Sequence, residues 1–285
     1  MNNKMTYFKM NNGYEIPQLG LGVFLIRDHE MCKKAVLTAI KNGYRHIDTA
    51  QLYKNEKAVG EAIRESDVPR EEIFVTTKIW TTNFGYEKTK KAIRKSLEDL
   101  QLEYIDLMLL HQQFEDYIGS WKALEEAVDE GLIQSIGISN FNMKRSKEIL
   151  NIARIKPVVN QVECHPYNQQ NEMREFLKEK DILLEAWAPL GQGDKKLWNE
   201  PLFSELGKKY GRNPIQIILR WHIQKGHIIF PKSTSEAHLK DNMSVFEFSL
   251  SDEDMKRINE MDKKKPYLNL PEWVQRIFYK IADKF

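Results

Sequence analysis

The sequence predicts an α/β protein, a single (β/α)8 TIM barrel occupying residues 1–285, with an N-terminal β-hairpin at about 7–16 and extra C-terminal helices that include a tail at about 266–285. Three observations carry that prediction. Eight short apolar runs alternate with amphipathic helical runs in strict β-then-α order, as parallel strands joined by helices require. No low-complexity linker or break in composition divides the chain, whose length suits one barrel of about 250 residues. Several apolar runs also end on chemically useful polar residues, the arrangement expected where parallel strands deliver their C-terminal ends to one mouth.

The elements follow in order. Phe8 and Met10 alternate with Lys9, Asn11-Asn12-Gly13 turns the chain, and Tyr14 to Ile16 resumes it, which reads as a hairpin. Leu19 to Val23 is a glycine-laced first barrel strand. Asp28 caps a helix whose apolar face takes in Met31, Ala35, Leu37 and Ile40 before the Asn42-Gly43 stop. The strand opening at Tyr44 reaches Asp48 and runs into a polar turn ending at Tyr53. Further strands are expected at Ile73–Trp80, Tyr104–Leu110, Ile133–Ser139, Val158–Glu163, Ile182–Ala188 and His227–Pro231, each followed by a helix. Ser251 opens a capped helix reaching about Met261, and Trp273, Ile277, Ile281 and Phe285 recur at helical spacing in the tail. The competing architecture is a doubly wound sheet. Its dinucleotide fingerprint needs a third glycine, and Gly20-Leu21-Gly22 lacks one.

Composition narrows the function. With 41% hydrophobic and 29% charged residues the chain is an ordinary soluble one, and a net charge of +2 argues against nucleic acid as the main partner. A small-molecule partner is expected. Cys32 and Cys164 have no spacing that suggests a disulfide framework or a zinc site, so both are read as reduced packing residues, and no metal is expected. The N-terminus lacks a signal-peptide core and no stretch approaches the roughly 18 apolar residues of a membrane span, so a cytoplasmic protein without a membrane partner is expected, read as a monomer with an oligomer left open.

The strand-end residues Asp48, Lys78, His111, Ser139, Asn140, Gln161, Lys232 and Ser233 are the candidates for chemistry. Singly, each has a bland reading: an aspartate caps a helix, a lysine is a solvated charge, a histidine satisfies a hydrogen bond, and Tyr53 packs. Together they say more. A lysine ending an apolar strand and pointing into a barrel must be paired or strongly shifted, and Asp48 on the neighbouring strand is the available partner.

The stretches Gly43-Tyr-Arg-His-Ile-Asp-Thr-Ala50, Thr77-Lys78, Leu109-Leu-His111, Gly137-Ile-Ser-Asn-Phe141, Asn160-Gln-Val-Glu-Cys-His-Pro166 and Pro231-Lys-Ser233 with Asn242 resemble the serial signatures of the aldo-keto reductase family. The likeness runs from about Gly13 to Met261, and in length the chain is nearest the bacterial 2,5-diketogluconate and glyoxal reductase-like members. It implies an NADPH-dependent reductase of small aldehydes, α-dicarbonyls or keto-sugars, with Asp48, Tyr53, Lys78 and His111 as the catalytic set. In that scheme Tyr53 protonates the nascent alkoxide, Lys78 lowers its pKa from about 10, Asp48 holds Lys78, and His111 orients the carbonyl. The resemblance also implies a cofactor site of Gly22, Val23, Ser139, Asn140, Gln161, Trp187, Leu190, Lys232, Ser233, His238 and Asn242. Phe24, Trp80 and His111 line the substrate pocket. The rival readings are a nicotinamide-binding redox sensor with little turnover, and a barrel isomerase or hydrolase using Asp48 and His111.

Three departures from the family pattern stand out. His238 replaces an arginine expected against the 2′-phosphate, which weakens the preference for NADPH and admits NADH. Gln112-Gln113 replaces Trp-Pro after His111, which predicts a more polar pocket. The tail departs as well, and Trp273 is expected to pack on the barrel rather than cover the site.

Overall fold

The computed structural model describes residues 5–267 and 269–282. Strands β1 (Tyr7–Lys9) and β2 (Glu15–Pro17) pair antiparallel. The remaining strands lie parallel in chain order: β3 (Leu21–Gly22), β4 (His46–Asp48), β5 (Phe74–Ile79), β6 (Ile105–Leu110), β7 (Ile133–Ser139), β8 (Val159–Glu163), β9 (Leu183–Trp187) and β10 (Ile228–Ile229). A parallel bridge between Leu19 and Ile229 closes the ring. The Gly20 N–H donates to the Ile229 carbonyl at 2.8 Å and the Ile229 N–H to the Gln18 carbonyl at 2.9 Å. Closure requires a small residue where β3 meets the chain beyond β10, because a Cβ on Gly22 would lie 2.6 Å from the Phe230 carbonyl oxygen.

The period of two along each strand sorts the barrel interior from its helical coat. On β5, Val75 and Ile79 join the helix-facing core, and the Thr77 hydroxyl donates to Glu56 Oε1 of the Glu56–Glu65 helix at 2.6 Å. Phe74, Thr76 and Lys78 therefore face inward. They form three successive levels: Phe74 in an apolar cluster, Thr76 on His46 Nε2 at 2.9 Å, and Lys78 on Asp48. The interior is also tight at β7, where a Cβ on Gly137 would meet Leu109 at 2.7 Å and Val159 at 2.9 Å.

The hairpin plugs the N-terminal end. Met10 and Ile16 pack with Phe74, Leu107, Leu109, Val158, Val159 and Ile228, and each such burial stabilises by about 1.5–3 kcal/mol. Asp28 caps the first helix (His29–Lys41) by accepting from the Met31 N–H at 2.8 Å. Its buried stripe is Cys32, Ala35, Val36, Ala39 and Ile40. Met31 is 52% exposed and Leu37 only partly covered, because the stripe lies about one residue round from the one read in the sequence.

The tail forms a helix at Glu272–Ile281, but the expectation for Trp273 is wrong. Trp273 is 68% exposed and Ile277 56% exposed, whereas Tyr279 is buried. Ion pairs of Arg276 and Lys280 with Glu115, at 3.0 and 3.5 Å, and the Thr81 hydroxyl on the Tyr279 carbonyl fix which face docks. That choice turns Trp273 to solvent. Phe285 and the Ile281 side chain lie outside the described residues.

Candidate active site

Inward parity places Asp48 on β4 and Lys78 on β5 at one level near the mouth, where Lys78 is wholly buried. Its ammonium donates to Asp48 Oδ1 at 2.7 Å, Asp48 Oδ2 at 2.8 Å and the Thr49 carbonyl at 2.9 Å. It also reaches the Tyr53 hydroxyl at 3.5 Å. Tyr53 is carried by a short helical turn, Gln51–Tyr53, which the Gln51 side chain anchors by donating to the Ala92 carbonyl at 3.0 Å. His111 follows β6 at once and is buried, its ring 5.9 Å from that of Tyr53 and edge-on.

Electrostatics assign the protonation states. Burial pulls the Lys78 ammonium down, but Asp48 and Tyr53 outweigh it and hold its pKa above the ordinary value. Asp48 lies above the usual carboxylate range because desolvation exceeds the pull of Lys78. Burial, reinforced by Lys78, keeps His111 well below the ordinary imidazole value and therefore neutral. Tyr53 departs from expectation. Lys78 does lower its pKa, but burial raises it more, so the phenol stays protonated beyond its ordinary range.

The sites expected for a cofactor fall into three groups. Around the mouth, the Trp187 indole N–H donates to Asn140 Oδ1 at 2.7 Å, and the Asn140 amide donates to the His111 carbonyl and to Ser139 Oγ, both at 3.1 Å. Asn140 adopts a left-handed φ of 61°, and Leu25 and Ala188, beyond β3 and β9, have φ of 62° and 51°. The second group lies near the Glu236–Met243 helix: Lys232 and His238 are exposed, Ser233 Oγ accepts from the Ser235 N–H at 3.1 Å, and buried Asn242 bonds the Tyr44 hydroxyl. The third group consists of Gly22, Val23 and Leu190. Gly22 closes the barrel and the Val23 side chain is in the core, its N–H donating to the Asp48 carbonyl at 3.1 Å. Leu190 offers its carbonyl to the Trp198 indole at 2.8 Å.

Gln161 lies deeper than expected of a mouth residue. Its side-chain amide donates to Asp48 Oδ2 at 3.0 Å and to Glu185 Oε2 at 3.1 Å. Strand ends do not reveal Glu185, which lies mid-strand in Leu183-Leu-Glu-Ala-Trp187. A charged residue at inward parity inside an apolar run was the available signal.

Phe24, Trp80, Phe114 and Tyr279 set aromatic rings around Tyr53 and His111. Phe24 is half-exposed with its ring 5.0 Å from Tyr53. Trp80 lies edge-on to His111 at 4.9 Å and to Tyr279 at 5.6 Å, and Tyr279 also meets Phe114 at 5.7 Å. Gln112, in place of an aromatic, bonds the Tyr279 hydroxyl, while Gln113 Oε1 accepts from the Asn142 N–H at 2.8 Å. This side of the mouth is thus more aromatic than the Gln-Gln pair suggested, because Tyr279 arrives from the far end of the chain.

The fold also gathers Cys164, His222 and His227, whose ligand-type atoms lie within 4.8 Å of one another, a grouping no sequence spacing revealed. His222 Nε2 bonds the Pro189 carbonyl at 3.1 Å, and the two Nδ1 atoms lie 3.0 Å apart in a histidine–histidine hydrogen bond. Burial depresses both imidazoles, His222 to about 3, and pushes the Cys164 thiol up. Cys32 and Cys164 are both free and buried.

Residues 18–263 match the Aldo/keto reductase family. The chain belongs to that family. This aldo/keto reductase is 46% identical over 256 residues to the glyoxal reductase of Bacillus subtilis (strain 168), covering 90% of this chain and 92% of that one. It is 43% identical to the 9,11-endoperoxide prostaglandin H2 reductase of Trypanosoma cruzi (strain CL Brener), across 93% and 94% of the two chains. A crystal structure of an aldo/keto reductase from Brucella melitensis superposes with a TM-score of 0.88 at 42% identity, covering 92% of this chain and all of that one. This protein is accordingly an oxidoreductase of the carbonyl-reducing type.

Proposed function

We propose that this aldo/keto reductase reduces small aldehydes, α-dicarbonyls or keto-sugars with NADPH, accepting NADH less well, and that Tyr53 is the proton donor. The observation that carries the reading is the wholly buried Lys78–Asp48 pair with its ammonium 3.5 Å from the Tyr53 hydroxyl and neutral His111 alongside.

The residues present fit a nicotinamide. A carboxamide needs both donors and acceptors, which the Ser139 hydroxyl and the Asn140 amide supply, and the half-buried Trp187, held by Asn140, offers an indole face. When bound, the nicotinamide supplies the hydride. Lys232, Ser233 and the N-terminus of the Glu236–Met243 helix suit a 2′-phosphate, and exposed His238 adds no fixed cation there. Gly22, Val23 and Leu190 contribute backbone and packing, and Asn242 supports the helix from within.

His111, neutral, holds one ring proton with which to hydrogen-bond the carbonyl oxygen, and it has no second proton to give. Tyr53, still protonated, delivers the proton to that oxygen as negative charge develops. The Lys78 ammonium stabilises the phenolate left behind, a charge-assisted contact stronger than a neutral one, and Asp48 keeps Lys78 in position. Phe24, Trp80 and Tyr279 exclude water from one side of the carbonyl.

We also read residues 1–285 as one domain and the enzyme as a cytoplasmic monomer. The two buried free thiols support a reducing compartment, and among the described residues no helix is long and apolar enough to cross a membrane. Incubation with methylglyoxal and either cofactor, followed by nicotinamide absorbance, tests the reading. Oxidation of both, faster for NADPH, is expected. Tight cofactor binding without turnover would favour a redox sensor, and no binding at all would overturn the assignment.

A further inference from the structure

Glu185 takes no part in the reaction, yet it lies inside the barrel, wholly buried, and is joined to Asp48 through the Gln161 side chain. The Gln161 amide has two protons, and it spends one on Asp48 Oδ2 at 3.0 Å and the other on Glu185 Oε2 at 3.1 Å. Glu185 Oε1 is buried and has no hydrogen-bond partner among the described residues. A carboxylate in that position would bury an unneutralised charge with an unsatisfied oxygen, because Lys78 is already matched by Asp48. Among the described residues the charged groups that act on it are Asp48 from β4 and Lys78 from β5. β8 contributes neutral Gln161, and its register neighbour on β10 is apolar Ile228.

We propose that Glu185 is a positioning residue for the reduction: its carboxyl holds the Gln161 amide against Asp48, and its charge state sets how much of the Lys78 field reaches Tyr53. Neutral, it leaves Lys78 and Asp48 as a balanced pair and the ammonium free to stabilise a phenolate. Ionised, it adds a second negative charge beside that pair. The phenol then becomes harder to deprotonate, and proton delivery slows. Burial first, then the Asp48 charge, pushes the Glu185 carboxyl up to about 8, against the smaller pulls of Gln161 and Lys78. Ionisation thus falls within the working range, whereas Tyr53 itself titrates above its ordinary value of about 10.

The inference rests on Tyr53 being the proton donor, and the test separates the two. The native enzyme should lose reductive kcat/KM with an alkaline limb centred near 8. In Glu185→Gln that limb should vanish or move up by about one pH unit or more, a gain of about tenfold over native at high pH. Glu185→Asp, which keeps the charge but shortens the reach to Gln161, should keep a limb and lose kcat severalfold. A native limb that persists unmoved in Glu185→Gln overturns the proposal, as does a wild-type kcat in Glu185→Asp. A readout that needs no turnover is the infrared carbonyl stretch of a neutral carboxylic acid, in native-minus-Glu185→Gln difference spectra. It should be present at pH 6 and lost around pH 8, and its absence at pH 6 would equally overturn the proposal.

Discussion

Two ion pairs, one partly exposed and one buried, lie near opposite ends of this barrel and do different work. At the N-terminal end Arg70 meets Asp106 at 2.6 Å, and at the mouth Lys78 meets Asp48 at 2.7 Å. The Asp106 oxygen also accepts from the Val75 N–H at 2.9 Å, and the guanidinium donates to the Tyr104 carbonyl and lies over the Tyr104 ring. Every one of those partners is backbone or packing. The Lys78 ammonium, by contrast, touches a phenol hydroxyl that no other described group claims. An ion pair becomes chemically useful when one partner reaches a group that can change its proton count, and position along the strand decides whether such a group is at hand.

Substituting one member of each pair breaks the comparison most sharply. Lys78→Met should destabilise by about 3–5 kcal/mol through the uncompensated Asp48 and should also cost roughly 10²-fold or more in kcat. Asp106→Asn leaves the partly exposed Arg70 short of its counter-ion and should destabilise by less, read as a lower urea midpoint, with kcat per folded molecule unchanged. If Asp106→Asn lowered kcat as Lys78→Met does, the two pairs would not differ in kind.

Acid should act on both ends at once. Burial holds His46 down to about 3 and keeps His111, His222 and His227 neutral as well. Between that value and the unfolded value of about 6.5 the unfolded chain binds a proton that the folded chain refuses. Stability is therefore complete above about 6.5 and falls as pH drops, by about 1.4 kcal/mol per unit for each such group, or about 2 kcal/mol at pH 5 from His46 alone. Urea midpoints that do not differ between pH 7.5 and pH 5 would contradict this.

The smallest effects separate the two faces of the tail helix. Tyr279→Ala should raise KM for the carbonyl severalfold by removing the wall against Trp80, while exposed Trp273→Ala should stay within about 0.5 kcal/mol in stability and leave KM alone. Equal effects from the two would mean that the helix acts as a whole rather than through Tyr279.

What the sequence made legible follows from the same physics. Periodicities of two and about 3.6 placed the eight barrel strands and their helices, since each strand must bury one face inside and one under a helix. Strand ends located Asp48, Lys78 and His111 because polar groups in a barrel gather at its mouth. Periodicity could not show which way the tail helix would turn, because Trp273 and Tyr279 are both large aromatics and only the Glu115 contacts choose between their faces. Nor could it weigh burial against a neighbouring cation, and for Tyr53 the opposing contributions leave a raised pKa where the charge alone predicted a lowered one. Glu185 and the Cys164–His222–His227 grouping depend on contacts across the fold that no local window contains.

The most direct test of the central claim is Tyr53→Phe, which removes one hydroxyl and leaves the ring. With NADPH binding unchanged by tryptophan fluorescence, kcat for methylglyoxal should fall by roughly 10²-fold or more. A kcat within twofold of native would contradict the account, because the proton would then come from elsewhere.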